Sequence, residues 1–300
     1  MNIREELKKP GVKRMILDTD TYNEIDDQFA LSLAMLAPDR IDLACVTAAP
    51  FHNSNSESWA DGMEKSYHEI GRCSSLVARA HGAKQPPYYR GSSERMPDPE
   101  TPVKSEAADK IAEYALAYDG ITFVTAIGAI TNVSSAILLH PEIREKIAVI
   151  WLGGHAKWFD GGEFNMQGDK NASNALFASG VPVLLFPCQG VVSHLILEIH
   201  ELEAHLRGDS PLGDYLCDNV AACRPGGAVS WSRVIWDIST VAGVIEPGTF
   251  FSSPCPRPWV MDDNRYDFTK LPGEIEHVDV VHRDWVFSIL FERLRVKKKD

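Results

Sequence analysis

Short apolar runs rich in β-branched residues alternate with amphipathic stretches through the first two-thirds of this 300-residue chain. That alternation restricts the fold more than any other feature. Lys13–Leu17, ending in Asp18, and Ile41–Ala48 read as strands. Ile121–Ile127, Ile147–Leu152 and Val181–Phe186 read the same way, and Leu76–Ala80 reads as a weaker one. Between them, Asp26–Ala37, Glu57–Ile70, Ser105–Tyr118 and Asn171–Ser179 space their apolar residues as helices do. Gly71, Asp119-Gly120 and Gly180 close the last three. Strands that alternate with helices form a parallel sheet covered on both faces, because each crossover lays a helix on the sheet. The expected fold class is therefore α/β, with an open, mostly parallel, Rossmann-like sheet.

The remainder is less regular. Gln85–Lys104 has no periodicity and holds five of the 18 prolines, and a loop of that length inside a compact domain is usually functional. After Val192 the pattern turns more helical, becomes irregular around Ser252–Pro258, and ends in an amphipathic helix from Asp284 onward. No linker-like shift in composition divides the chain, so residues 1–300 are read as one domain.

Composition narrows the partners. Thirty Lys and Arg against 42 Asp and Glu leave a net charge of −12, which repels phosphate backbones and argues against nucleic acid as a partner. The one basic run, Arg293–Lys299, reads as a solvated helix end. The six cysteines show no C-x-x-C spacing, the N-terminal segment has no apolar signal core, and no 18-residue apolar run exists. The expectation is a cytoplasmic protein with reduced thiols and no membrane contact.

The most informative segment runs from Ile16 to Leu31. Asp18, Asp20, Asp26 and Asp27 fall within ten residues, at the carboxyl end of a strand and the start of a helix. Open parallel sheets bind ligands in the crevice outside those strand ends. Four acids converging there repel one another unless some are protonated or a cation sits among them, and a hard divalent cation is the simplest resolution. The plainer alternative, that Asp26 and Asp27 merely cap a helix, leaves Asp18 and Asp20 unexplained.

Asp18-Thr-Asp20 followed by Asp26-Asp27 and Ala30-Leu31 resembles the N-terminal signature of the inosine/uridine-type nucleoside hydrolases. Other segments agree in order. Val46-Thr-Ala-Ala-Pro-Phe-His-Asn53 is similar to the family's second-strand segment ending in a ribose-contacting Asn. Ile127-Gly-Ala-Ile-Thr-Asn132 and His140-Pro-Glu-Ile143 resemble its T-G-x-L-T-N and D-P-E-I segments. Trp151-Leu-Gly-Gly154, Glu163-Phe-Asn165 and Asp169 follow, and Trp236-Asp237 lies where the family has a late metal-binding Asp. The resemblance spans residues 12–245 and implies the nucleoside hydrolase fold, a small-molecule nucleoside substrate and a homo-oligomer, dimer or tetramer.

It also implies a chemistry. Breaking a ribosyl C1′–N bond needs stabilisation of positive charge on the sugar, delivery of water to C1′ and help for the leaving base. By position, Ca²⁺ would be held by Asp20, Asp27, Asp237 and the backbone carbonyl of Ile127, with Asp20 also the general base. Asp18 would support this group from behind. Ribose recognition would fall to Asp26, Asn53, Glu163 and Asn165.

This chain departs from the family pattern twice. The segment 155–162 between Gly154 and Glu163 is short and leaves the 5′-hydroxyl contact unplaced. Trp236 replaces a histidine that could protonate the base; an indole cannot, but it can stack, which favours purines. The alternative for Trp236 is core packing. His52 and His155 are the nearest histidines that could relay a proton, whereas His194, His200 and His205 read as core or solvated. Trp59, Tyr88, Tyr89 and Trp158 could line a base pocket or simply pack. Two rival functions remain at this stage: a non-catalytic nucleoside- or ribose-binding protein, and a haloacid-dehalogenase-type phosphatase. The second lacks a role for Asp26-Asp27 and has Tyr22 where its motif needs Thr or Val.

Overall fold

The computed structural model describes residues 1–159 and 162–296. A short helix α1 (Ile3–Lys8) precedes β1 (Lys13–Thr19), α2 (Asp27–Met35), β2 (Ile41–Ala48), α3 (Trp59–His81) and β3 (Tyr88–Tyr89). Then come α4 (Glu106–Leu116), β4 (Thr122–Ala126), α5 (Thr131–Leu139), β5 (Ile147–Leu152), α6 (Phe164–Gly168), α7 (Lys170–Ala178) and β6 (Val183–Phe186). A ribbon of β7 (Ile196–Glu198) and β8 (Ser232–Val234) encloses α8 (Ile199–Leu206) and α9 (Pro211–Ala222). The chain continues through α10 (Ile238–Ile245), β9 (Phe250–Pro256), a small ribbon of β10 (Trp259–Val260) and β11 (Tyr266–Asp267), β12 (Glu274–Val281) and α11 (Arg283–Leu294).

Eight strands form the central sheet in the order β3-β2-β1-β4-β5-β6-β12-β9. All neighbours are parallel except the edge pair β12–β9. The alternation of side chains along each strand feeds two cores. Met15 and Leu17 of β1 and Ala148, Ile150 and Leu152 of β5 join α2, α3, α10 and α11 on one face. Ile16, Ile147, Val149 and Trp151 join α4, α5 and α7 on the other. Every side chain of β5 is buried, and each large aliphatic one contributes about 1.5–3 kcal/mol by leaving water. The expected α/β architecture is what the chain adopts.

Several boundaries differ from the sequence reading. Helix α3 runs through Gly71 and the expected weak strand Leu76–Ala80 to His81, where Gly82 at φ +68° closes it. Gly71 is there for close packing, since a Cβ would stand 2.6 Å from the Tyr88 hydroxyl. The stretch read as irregular around Ser252–Pro258 is largely strand β9, whose Pro254 and Pro256 are tolerated at a sheet edge. Strand β12 was not anticipated.

Gln85–Lys104 opens with β3 and continues as a strap that buries Met96 and Val103. Its backbone is pinned by Asn132 at Ser92 (2.8 Å), Asp169 at Met96 (2.8 Å) and Ser135 at Val103 (3.0 Å). Arg293 of the basic run pairs with Asp39 (Nη2–Oδ2 2.8 Å) instead of standing free, and residues 297–299 of that run lie outside the described ones. All six cysteines are unpaired. No described helix is long and apolar enough to cross a membrane.

Candidate active site

Strand order reverses its direction of growth at β1, which has β2 on one side and β4 on the other, and such a switch point opens a crevice at the carboxyl ends of the strands. A cavity of about 200 Å³ lies there. A larger groove of about 1380 Å³, walled by the start of β2 and the ends of α3 and α11, carries no comparable cluster of acids among the described residues. Chemistry, not size, selects the smaller one.

Two helices begin at its floor. Asp26 and Asp27 sit at the start of α2, and Asp237 immediately precedes α10. The partial positive charge of both helix starts favours carboxylates at this point. One oxygen from each of Asp26, Asp27 and Asp237 falls in a group spanning no more than 4.8 Å, and all three side chains are buried. Asp26 makes no capping bond within its own helix. Its Oδ2 instead accepts the backbone N–H of Trp236 (2.8 Å) and of Asp237 (3.4 Å). Asp27 accepts the hydroxyl of Thr19.

Asp20, just past β1, lines the same cavity with Ile127. Its Oδ2 is buried and has no hydrogen-bond partner among the described residues. Gly128 makes room for it, because a Cβ there would come within 2.9 Å of the Asp20 Cγ. The spacer that follows is held from several sides. Tyr22 takes φ 102°, a conformation L residues rarely adopt, while Asn23 N–H bonds the Asp20 carbonyl (2.8 Å). Asn53 and Asn55 donate to Asn23 (2.6 and 2.9 Å), and Arg233 on β8 pairs with Glu24 (2.8 Å).

Asp18 lies behind the site. Thr47 (2.5 Å) and Asn132 (2.8 Å) both donate to its Oδ1, and its backbone carbonyl accepts from Ile127. Burial pushes its carboxyl up to about 6, against the pull of those two bonds. Asp27 is pushed up to about 7, also chiefly by burial. Asp20, Asp26 and Asp237 are driven well above the usual range by burial and then by neighbouring carboxylates. A set of buried acids that cannot all ionise alone, with the orphaned Oδ2 of Asp20 in the cavity and that of Asp18 behind it, fits a hard divalent cation with oxygen ligands.

The opposite wall is built from the segment after β5. Glu163 caps α6, its carboxylate accepting the N–H groups of Asn165 (2.9 Å), Met166 (2.9 Å) and Gly154 (2.7 Å). Asn165 donates its amide to the carbonyls of Ile127 (3.1 Å) and Leu152 (3.0 Å), clamping the ends of β4 and β5. His155 also lines the cavity. Its Nδ1 accepts the Gln189 N–H (3.2 Å), which places the proton on Nε2 facing the Gly162 carbonyl (3.1 Å).

The structure thus brings Asp20, Asp26, Asp27, Ile127, Glu163, Asn165, Trp236 and Asp237 to one cavity, with Asp18 behind it. Asn53 is not in the wall; it reaches the site through Asn23. His52 and Trp158 are exposed, Trp59, Tyr88 and Tyr89 are half-buried, and all five lie outside the wall. His194 bonds the Val281 carbonyl (2.6 Å) and His205 stacks on Phe291. Sequence reasoning missed Asn23, Glu24, Phe164, Cys188 and Gln189 in the wall. The length of the spacer between Asp20 and Asp26 signalled the first two, and the position just past β6 signalled the last two.

A model of the family described as inosine-uridine preferring nucleoside hydrolase matches residues 15–284. The chain is 27% identical over 320 aligned residues to a pyrimidine-specific ribonucleoside hydrolase, RihA, of Photobacterium profundum, covering 93% of this chain and 98% of that protein. It is 26% identical to a protein of the same description from an Escherichia coli strain, over 57% of this chain and 58% of that one. Two solved structures share the fold. A plant nucleoside hydrolase, PpNRh1, superposes with a TM-score of 0.74 at 20% identity, covering 95% of this chain and 99% of that one. A purine-preferring ribonucleoside hydrolase from Gardnerella vaginalis does so at 0.73 and 20%, covering 94% and 98%.

Proposed function

This chain belongs to the inosine-uridine preferring nucleoside hydrolase family and is a ribonucleoside hydrolase, and from that premise we propose that it is a Ca²⁺-dependent enzyme with a preference for purine ribosides. The observation that carries this reading is the convergence of Asp26, Asp27 and Asp237, with the unpartnered Oδ2 of Asp20 in the same cavity. Asp20, Asp27, Asp237 and the Ile127 carbonyl are the proposed ligands of the ion, and Asp26 stands close enough to join them. When bound, the ion supplies a chelator for the ribose 2′- and 3′-hydroxyls and acidifies water.

The chain's own residues do the rest. Asp20 takes the proton of the water that attacks C1′. The surrounding carboxylates stabilise the positive charge that grows on the ribosyl ring as the C1′–N bond lengthens. Asp18, fixed by Thr47 and Asn132, holds the end of β1 behind Asp20. Asp26 grips the backbone at Trp236 and thereby sets the stacking face. Glu163 and Asn165 shape the ribose side of the cavity, and Asn53 steadies the spacer through Asn23.

Trp236 offers a large ring face, which gains more from a two-ring base than from a one-ring base. That favours purines, although the curated relatives are described as pyrimidine-specific. Family membership leaves the phosphatase reading without support. The test is ribose release from inosine, guanosine, adenosine, uridine and cytidine, read as reducing sugar. Purines are expected to turn over faster, with Trp236→Leu narrowing the gap. Faster release from uridine and cytidine would overturn the purine preference, and an Asp20→Ala protein with intact activity would overturn the role of Asp20.

A further inference from the structure

The two ends of the segment 155–162 are fastened to each other, and His155 is the group that joins them. Its Nε2–H donates to the carbonyl of Gly162 (3.1 Å), the residue before Glu163. The Glu163 carboxylate in turn accepts the N–H of Gly154 (2.7 Å), the residue before His155. These bonds and the peptide links beside them close a circuit, so neither end shifts without the other. Gly162 also lies flat on α6, where a Cβ would overlap the Gln167 side chain.

The remaining bonds of the segment are shared unevenly. His155 Nδ1 accepts the Gln189 N–H (3.2 Å). That turn after β6 is held twice more, by the Cys188 N–H on the Gly154 carbonyl (2.8 Å) and the Ala156 N–H on the Gln189 carbonyl (2.9 Å). The His155 backbone N–H donates to the Tyr266 hydroxyl (3.0 Å), which reaches in from β11. The Gly162 carbonyl has no partner but His155 among the described residues. A neutral imidazole has one N–H to give, and this ring, 7% exposed, spends it on a carbonyl that nothing else holds.

The chain that follows Gly162 forms the wall opposite the acid cluster. Glu163 caps α6, Phe164 lines the cavity, and Asn165 donates to the Ile127 and Leu152 carbonyls (3.1 and 3.0 Å). A rotation at Gly162 would carry this run with it. A wall that faces the sugar in the bound substrate and in the transition state alike contributes to both equally, so disturbing it appears in KM and not in kcat.

We propose that His155 is a positioning residue that sets substrate affinity by fastening Gly162, and through it Glu163, Phe164 and Asn165, and that it moves no proton in the reaction. This rests on the ribohydrolase reading above, in which that wall meets the ribose.

The test uses two amide replacements in the full chain with Ca²⁺, read as ribose release from guanosine. In His155→Gln the amide nitrogen reaches the place of Nε2 and still donates to Gly162. In His155→Asn the amide reproduces only the place of Nδ1, so the Gly162 bond is lost. His155→Asn is expected to raise KM about tenfold with kcat within about threefold of wild type, and His155→Gln to keep KM within about threefold. Calorimetric Ca²⁺ affinity and the pH profile of kcat are expected to match wild type in both variants. Equal KM in wild type and His155→Asn, an equal rise in both variants, or a fall in kcat with KM unchanged overturns the proposal while the hydrolase stands. So does a His155→Asn chain that loses Ca²⁺ affinity or does not fold, since the residue would then serve the fold as a whole. No ribose from the wild type with any of the five common nucleosides overturns the hydrolase reading and the proposal with it.

Discussion

The Asp26 carboxylate accepts the backbone N–H of Trp236 at 2.8 Å, joining two residues 210 positions apart. The same side chain stands within 4.8 Å of ligand atoms of Asp27 and Asp237. One group therefore ties the acid cluster to the aromatic wall, and neither can shift without the other.

Replacing Asp26 separates its two tasks. In Asp26→Asn an amide oxygen can still accept the Trp236 N–H, so the fold survives while one charge is lost. Ca²⁺ affinity measured by calorimetry is expected to fall about 10–100-fold, with ribose release falling at least as far. The metal-free variant is expected to melt above the metal-free wild type, because burial and neighbouring acids already disfavour the charged form of Asp26. Unchanged Ca²⁺ affinity would remove Asp26 from the metal site.

The buried acids also set a pH dependence. Asp18 keeps its proton up to about 6 when folded but loses it near its ordinary 3.8 when unfolded. The folded state therefore binds more protons between those values, and stability falls as pH rises through that window. Asp27, lifted to about 7, extends the fall in metal-free protein. In Asp18→Asn the bonds from Thr47 and Asn132 both land on an oxygen that an amide retains. The orphaned Oδ2 becomes an orphaned amide nitrogen, which costs less than a buried charge. The metal-free variant should melt roughly 2–4 °C above wild type at pH 7.5, with the gap closing toward pH 4. A gap that widens toward pH 4 would reverse the assignment.

Gly128 tests the placement of Asp20 without touching its chemistry. A methyl group at Gly128 would meet the Asp20 carboxyl at 2.9 Å and the Ala49 side chain at 3.1 Å. Gly128→Ala should displace the carboxyl by a few tenths of an ångström to about 1 Å and lower kcat up to about 100-fold, with a smaller change in KM. A kcat equal to wild type would show that Asp20 is not held where the account needs it.

Much of this was readable from the chain because it is local. Asp18, Asp20, Asp26 and Asp27 fall on one strand end and one helix start, so spacing alone brings them near the crevice. Asp237 is distant, and only its motif pointed to it. The structure reassigned tasks that depend on tertiary partners. Asn53 looked like a wall residue, but its amide is taken by Asn23, which lines the wall in its place. Glu163 read as a ribose contact, but backbone N–H groups from two segments claim its carboxylate. His155 looked like a relay, but both its nitrogens are engaged. The β9–β12 edge was hidden by Pro254 and Pro256, which weaken the strand signal locally yet cost little where no neighbour needs their N–H. Gly71 gave a false stop, because a glycine that admits Tyr88 cannot be told from a glycine that ends a helix by sequence alone.

The central claim is that the buried aspartates hold a divalent cation without which no ribose is released. The most direct measurement is reducing-sugar release from guanosine by protein stripped with a calcium chelator, dialysed, and then titrated with Ca²⁺. Activity is expected to be lost on stripping and restored by Ca²⁺, with Asp237→Asn needing far more Ca²⁺ for the same rate. A stripped protein that releases ribose at the untreated rate would contradict it.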